Sequence, residues 1–230
     1  EAAFSDKTAA VAYLFSPGLS KVALSLDKVT EIAHSKGVPV IVDAASMLPP
    51  RENLSKYHKL GADLVIHSGG KGIRGPQGTG ILSGKKELIQ AAYANAAPHQ
   101  FLGRSAKVAK EEIVGLLTAL NNFVNEDEKV ENSKFRNKSQ KVVDAFSETP
   151  GLDAAIKHDN VDYLTPVSTL FFNDEWEGPK AGDIVQRLQE GNTPVFMHNL
   201  IHPDELIFDP LNVDDEEVDV VIKKIRESMD

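Results

Sequence analysis

The chain has 230 residues, a formal net charge of -9, 41% hydrophobic residues and no cysteine. This is globular composition, long enough for one large domain or one and a half small ones, and it excludes disulfides and thiolate metal sites. With 34 acidic residues against 25 basic ones, the charge matches a phosphate backbone poorly, which favours small-molecule chemistry over nucleic-acid binding.

No apolar run approaches the length that crosses a bilayer. The opening EAAFSDKTAAVAY lacks the basic-then-apolar order of a signal peptide. A cytoplasmic protein with no membrane partner is expected.

Residues 9–15, AAVAYLF, predict a buried strand that Ser16-Pro17-Gly18 breaks. Over 25–36 the apolar residues Leu26, Val29, Ile32 and Ala33 recur at helical spacing, between a Ser25 N-cap and a Gly37 stop. Residues 38–42, VPVIV, are β-branched and end at Asp43. Strand, helix and strand in such short order read as a βαβ crossover of a parallel sheet, with strands apolar throughout because both faces are covered.

A helix over 52–60 closed by Gly61, a strand over 62–67, a glycine-dense loop over 68–78 and a strand over 80–83 follow. Helices are expected over 85–93 and from 105 to 146, the latter broken in the Asn-rich stretch after Leu120. Beyond residue 150 the texture changes. Short strands at 162–164, 169–172, 195–198 and 205–208 alternate with helices at 182–190 and 214–228, an α+β pattern with antiparallel pairing. The expected fold is α/β with a mainly parallel sheet forming part of a large domain over residues 1–115, followed by a C-terminal α+β small domain over 116–230.

The chemistry concentrates in IVDAA (41–45) and GADLVIHSGGKGIRGPQG (61–78). Ligands of open α/β sheets bind outside the carboxyl ends of the strands, and Asp43 and Lys71 both fall just past such ends. Pyridoxal phosphate (PLP) needs an amine for its aldehyde, a carboxylate for its ring nitrogen and donors for its phosphate. Lys71 offers the amine, Asp43 the carboxylate and Ser68 a hydroxyl. Gly69, Gly70 and Gly72 would let backbone approach the cofactor closely.

Each residue also has a plainer reading. Asp43 suits a turn or cap, Lys71 a solvated or anion-binding loop, and Ser68 a hydroxyl bonded to its own backbone. His67 suits packing at a strand end. His198 and His202 suggest a metal pair, but no carboxylates at metal-site spacing accompany them, so an ordinary strand and turn is preferred. An NAD-binding domain fails, because no GxGxxG follows the first strand.

The blocks VPVIVDAASMLPPRENL, GADLVIHSGGKGIRGPQGTGIL and GRSAKVAKEEIVGLLTAL, in this order, resemble the fold-type-I PLP enzymes. Within them they are similar to the selenocysteine synthase (L-seryl-tRNA selenium transferase)-like family, whose relatives include amino-sugar-acid ammonia lyases. The likeness runs from about residue 7 to 125, then more weakly through GNTPVF.

It implies a PLP-transferase-like fold, with Lys71 holding the cofactor as a Schiff base, Asp43 at the pyridinium nitrogen, Ala45 against a ring face and Ser68 at the phosphate. Arg74 and Gln77 are implied as phosphate or substrate ligands, a role open toward a partner subunit, since such enzymes are dimers or larger with active sites at the interface. Arg104 and Lys107 match family positions without a derivable role. A complete enzyme of this fold carries a further stretch before the aspartate-bearing strand, so a truncated chain is expected. A lyase or transferase acting on a small amino substrate is then the leading expectation, tRNA being disfavoured by the acidic charge. A non-catalytic remnant on the same scaffold is the alternative.

Overall fold

The computed structural model describes residues 3–190 and 192–230. Gly191, the first residue of the GNTPVF block, lies outside the described residues. The chain divides between Glu126 and Asp127 into two compact units.

The first unit is built on a four-stranded sheet in the order β1-β2-β3-β4, with β1 Val11–Leu14, β2 Val40–Asp43, β3 Leu64–Ser68 and β4 Gly80–Gly84. Strands β1, β2 and β3 run parallel and β4 returns antiparallel. Helix α1 (Leu26–Ser35) makes the first crossover and α2 (Asn53–Lys59) the second, as parallel neighbours require. Ser25 stands at the N-cap of α1 in extended conformation. Helices α3 (Lys86–Asn95) and α4 (Lys110–Asn125) complete the unit.

The two faces of this sheet differ. On one, Val40, Val42 and Val65 are 0% exposed and His67 is 1% exposed, with Tyr57 of α2 beside the His67 ring at 6.2 Å. On the other, pairing aligns Leu14 with Asp43, Asp43 with Ile66, and Ile66 with Leu82. There Leu14, Ile66 and Leu82 are 55%, 37% and 39% exposed. The expectation of two covered faces therefore holds for one face only within this chain.

Asp63, at the entry of β3, ties the layers together. Its carboxylate accepts from the Val40 N–H (2.7 Å), contacts His34 Nε2 (2.8 Å) and pairs with the Lys85 ammonium (2.5 Å), while itself 1% exposed. Burial pushes its pKa up, but Lys85, His34 and Val40 outweigh burial and hold it below the ordinary carboxylate value. A depressed folded pKa contributes stability that is present above the unfolded value of about 3.9 and lost as pH falls through the folded value. Asp63→Ala should cost about 1–3 kcal/mol in urea unfolding at pH 7, because the buried Val40 N–H loses its carboxylate acceptor. The advantage of wild type over Asp63→Asn should shrink as the buffer is taken below about pH 4. A constant gap across that range would remove Asp63 from the acid response.

The second unit pairs β5 (Leu152–Lys157), β6 (Val167–Phe172) and β7 (Glu205–Phe208) as an antiparallel sheet in that order. Its helices are α5 (Glu128–Phe146), α6 (Ala181–Gln189) and α7 (Glu217–Met229). They close a core that includes Phe146, Leu170, Ile184, Leu206 and Ile225. Asp127 caps α5, its carboxylate accepting from the Lys129 and Val130 N–H groups. The long helical region therefore breaks at Glu126–Asp127, past the Asn-rich stretch.

The predicted strand at 162–164 is a turn. The Asp159 carboxylate accepts from the N–H groups of Val161, Asp162 and Tyr163 at 2.8, 2.9 and 2.9 Å, a local alternative that competes with sheet pairing. The unpredicted β5, LDAAIK, is weakly β-prone and stands because all six residues pair with β6. Residues 195–198 contribute only an isolated bridge, His198 to Ile207.

Candidate functional site

Asp43 is the last residue of β2 and Ser68 the last of β3, and these strands are parallel neighbours. Their ends therefore coincide at one edge of the sheet. Side chains alternate along a strand, so the register of Asp43 with Ile66 puts Asp43, Ile66 and Ser68 on the same, uncovered face. His67 points to the opposite, helix-covered face. Ala44 is 0% exposed and Ala45 half-buried, so the chain turns back into the fold directly after the aspartate. The Asp43 carboxylate uses Oδ1 to accept from the Ala45 N–H at 3.0 Å.

Lys71 lies in the loop joining β3 to the antiparallel β4. The loop closes on itself. Gly69 N–H donates to the Thr79 carbonyl (3.0 Å), Arg74 N–H to the Lys71 carbonyl (2.8 Å) and Gly75 N–H to the Gly69 carbonyl (2.8 Å). The Gln77 amide donates to the Gly70 carbonyl at 3.1 Å, and the Thr79 hydroxyl to the Pro76 carbonyl at 2.6 Å. The glycines make room for the chain itself. A Cβ on Gly72 would stand 2.0 Å from the Leu48 carbonyl oxygen, and one on Gly69 would stand 2.1 Å from Thr79 Oγ1. Sequence reasoning assigned that space to a ligand; the structure fills it with Leu48 and Thr79.

The residues singled out by sequence divide by what they already hold. Lys71 is exposed, and its ammonium makes no hydrogen bond or ion pair with any described residue. Asp43 is exposed with Oδ2 uncommitted, and the Ser68 hydroxyl likewise has no partner among the described residues. By contrast, Arg74 reaches Glu126 Oε2 at 3.5 Å and Gln77 is spent on Gly70. Arg74 also adopts φ 59°, in the left-handed region that is uncommon outside glycine. His67 is buried, and burial holds its pKa below the ordinary imidazole value. It is neutral packing at neutral pH.

Sequence reasoning missed what supports the loop. Leu48, Ile73 and Phe123 form a buried cluster with Leu116 and Ala119 of α4 packed against it. Pro76 lies over Gly115, where a Cβ would come within 2.9 Å of its ring. Arg51 sits beneath, donating through Nε to the Phe123 carbonyl and standing 3.9 Å from Glu126 Oε2. A cleft of about 360 Å³ between Arg74, Asn122 and Glu126 borders this support. The PPR triplet at 49–51 is the signal available in the sequence, but its partners lie far along the chain.

The site's donors fit PLP. Asp43 and Ser68 stand at adjoining strand ends on one open face, with a carboxylate oxygen and a hydroxyl unspent, and Lys71, three residues beyond Ser68, has its ammonium uncommitted among the described residues. In the second unit His198 bridges to Ile207 and the His202 ring lies 5.3 Å from that of Phe171. Among the described residues no group of three or more His, Asp or Glu could hold a metal ion, and no helix is long and apolar enough to cross a membrane.

Comparison with known proteins matches residues 1–122 to the aminotransferase class-V family. The D-glucosaminate-6-phosphate ammonia lyase of Salmonella typhimurium is 31% identical over 229 residues, covering 99% of this chain and 59% of the relative. An L-seryl-tRNA(Sec) selenium transferase of Aquifex aeolicus is 24% identical over 233 residues, covering 89% of this chain and 49% of the relative. A solved D-glucosaminate-6-phosphate ammonia-lyase superposes with a TM-score of 0.71 at 30% identity, covering 99% of this chain and 59% of that one. The chain thus spans about half to three-fifths of the length of these relatives.

Proposed function

Because the chain belongs to the aminotransferase class-V family, a fold-type-I PLP group, we propose that it carries the cofactor-holding part of a PLP-dependent lyase or transferase acting at the β-position of an amino acid or amino-sugar acid. One observation carries the reading: Lys71, Asp43 and Ser68 are the site residues with functional groups left unspent, and Asp43 and Ser68 share one open face.

PLP, when bound, supplies an electron sink for negative charge developing at the substrate Cα. The residues of this chain do the rest. Lys71 would hold the cofactor through its amine and, once released by substrate, take and return a proton at Cα. Asp43 Oδ2 would keep a proton on the ring nitrogen, and the Ser68 hydroxyl would donate to the phosphate. Ala45, small and half-buried, would leave room against the ring face. Arg74 and Gln77, held at Glu126 and the Gly70 carbonyl, would be the further ligands of phosphate or substrate.

The similarity to an ammonia lyase named for a phosphorylated amino-sugar acid supports a small substrate of that class. So does the acidic balance of the chain, which disfavours tRNA. The reading includes a cytoplasmic homo-oligomer with its site at a subunit interface. A second reading, a scaffold without turnover, is favoured by the exposure of Leu14, Ile66 and Leu82 beside Asp43, since an open site admits water to the chemistry.

The test is to load the purified chain with PLP and screen amino acids and amino-sugar acids, with and without phosphate, for release of ammonia and a keto acid. Turnover of such a substrate with no gel shift of seryl-tRNA at physiological salt is the expected result. PLP capture without turnover of any of them would favour the scaffold, and retention of seryl-tRNA would overturn the small-molecule reading.

A further inference from the structure

We propose that Arg51 is a positioning residue for Lys71, setting the place of the lysine loop by locking α4 to the segment that follows β2. The inference rests on the reading of Lys71 as the cofactor-holding residue.

The last carbonyls of an α-helix lack partners within the helix and carry partial negative charge. The last turn of α4 has no basic residue of its own. Arg51 supplies one from elsewhere: its side chain is 14% exposed, and its guanidinium donates through Nε to the Phe123 carbonyl, lies 5.1 Å above the Phe123 ring and stands 3.9 Å from Glu126. Arginine suits this place because its planar group can donate and stack at once.

Three contacts transmit that anchoring to the lysine. Leu48, three residues before Arg51, presents its carbonyl oxygen where a Cβ on Gly72 would stand, so the segment and the loop are in contact beside Lys71. Phe123 and Leu48 share one buried cluster with Ile73, which lies two residues beyond Lys71. Arg74, three beyond it, pairs with the same Glu126 oxygen that faces Arg51. Asp43 lies at the head of the segment that ends in Arg51. One guanidinium therefore joins the chain carrying the carboxylate to the helix on which the amine's loop rests, without touching either group.

The experiment measures amide hydrogen exchange in the PLP-free chain and, separately, PLP capture on Lys71 by borohydride trapping and peptide mass. Arg51→Met keeps the aliphatic stem and loses the donors. Arg51→Lys keeps the charge, loses the planar stack and is the milder change should the first fail to fold. Thr30→Ala removes a buried hydroxyl that donates to the Asp27 and Leu60 carbonyls, and serves as a control destabilised away from the loop.

Both Arg51 variants should speed exchange at the Gly69, Arg74 and Gly75 amides. Arg51→Met should also weaken PLP capture about tenfold, as small misplacements of reacting groups do, while Thr30→Ala does neither. Exchange and capture unchanged from wild type in the folded Arg51 variants, or loop exchange raised as much by Thr30→Ala, would overturn the proposal. If wild type captures no PLP, the reading of Lys71 fails by itself, and the exchange comparison still decides whether Arg51 holds the loop.

Discussion

Lys71→Ala should abolish covalent capture of PLP while leaving the unfolding free energy within about 0.5 kcal/mol of wild type. The two halves of this expectation have separate causes. Capture needs an amine, and Lys71 is the lysine of the loop that begins at the end of β3. Its ammonium is exposed and makes no hydrogen bond or ion pair with a described residue. Removing such a side chain takes away no packing and orphans no partner. Borohydride trapping followed by peptide mapping reads the first half, and urea unfolding reads the second. A cofactor-sized mass that persists on another lysine in Lys71→Ala would reject the assignment. A large loss of stability would mean that Lys71 is structural.

The placement of Asp43 and Ser68 was readable from the sequence, because strand ends and side-chain alternation follow from short-range patterns. VIVD and LVIHS are apolar runs with a polar terminus, and parallel neighbours bring such termini to one edge. The mainly parallel sheet followed by antiparallel strands was readable for the same reason. What escaped reading is long-range. Arg51 meets a carbonyl 72 residues later, and nothing in either segment alone announces it. The turn at 159–163 depended on one carboxylate collecting several N–H groups. Strand β5 depended on a partner that a propensity reading of LDAAIK does not include. The open face had no sequence signal either, since Leu14, Ile66 and Leu82 look like core residues yet stay 55%, 37% and 39% exposed.

Gly72→Ala should be among the most damaging single methyl groups in the first unit. The added Cβ would stand 2.0 Å from the Leu48 carbonyl oxygen and 2.4 Å from its carbon. Those are backbone atoms, which no rotamer change can move aside, so one of the two segments must shift. Overpacking of this kind costs about 1–3 kcal/mol. The functional loss should be larger than the loss of stability suggests, because the segments forced apart are the one that follows Asp43 and the one that carries Lys71. A displacement near 1 Å between groups that must engage one small ring reduces reactivity about a hundredfold. PLP titration of the folded fraction should accordingly show capture weakened by about that factor, whereas Gly37→Ala should lower stability and leave capture intact. Gly37 has φ +70° and open space where its Cβ would go, so its cost is conformational and confined to the end of α1. Wild-type capture in Gly72→Ala would mean that the contact between Leu48 and the loop does not place the lysine. The anchoring assigned to Arg51 would then lose one of the three contacts through which it reaches Lys71.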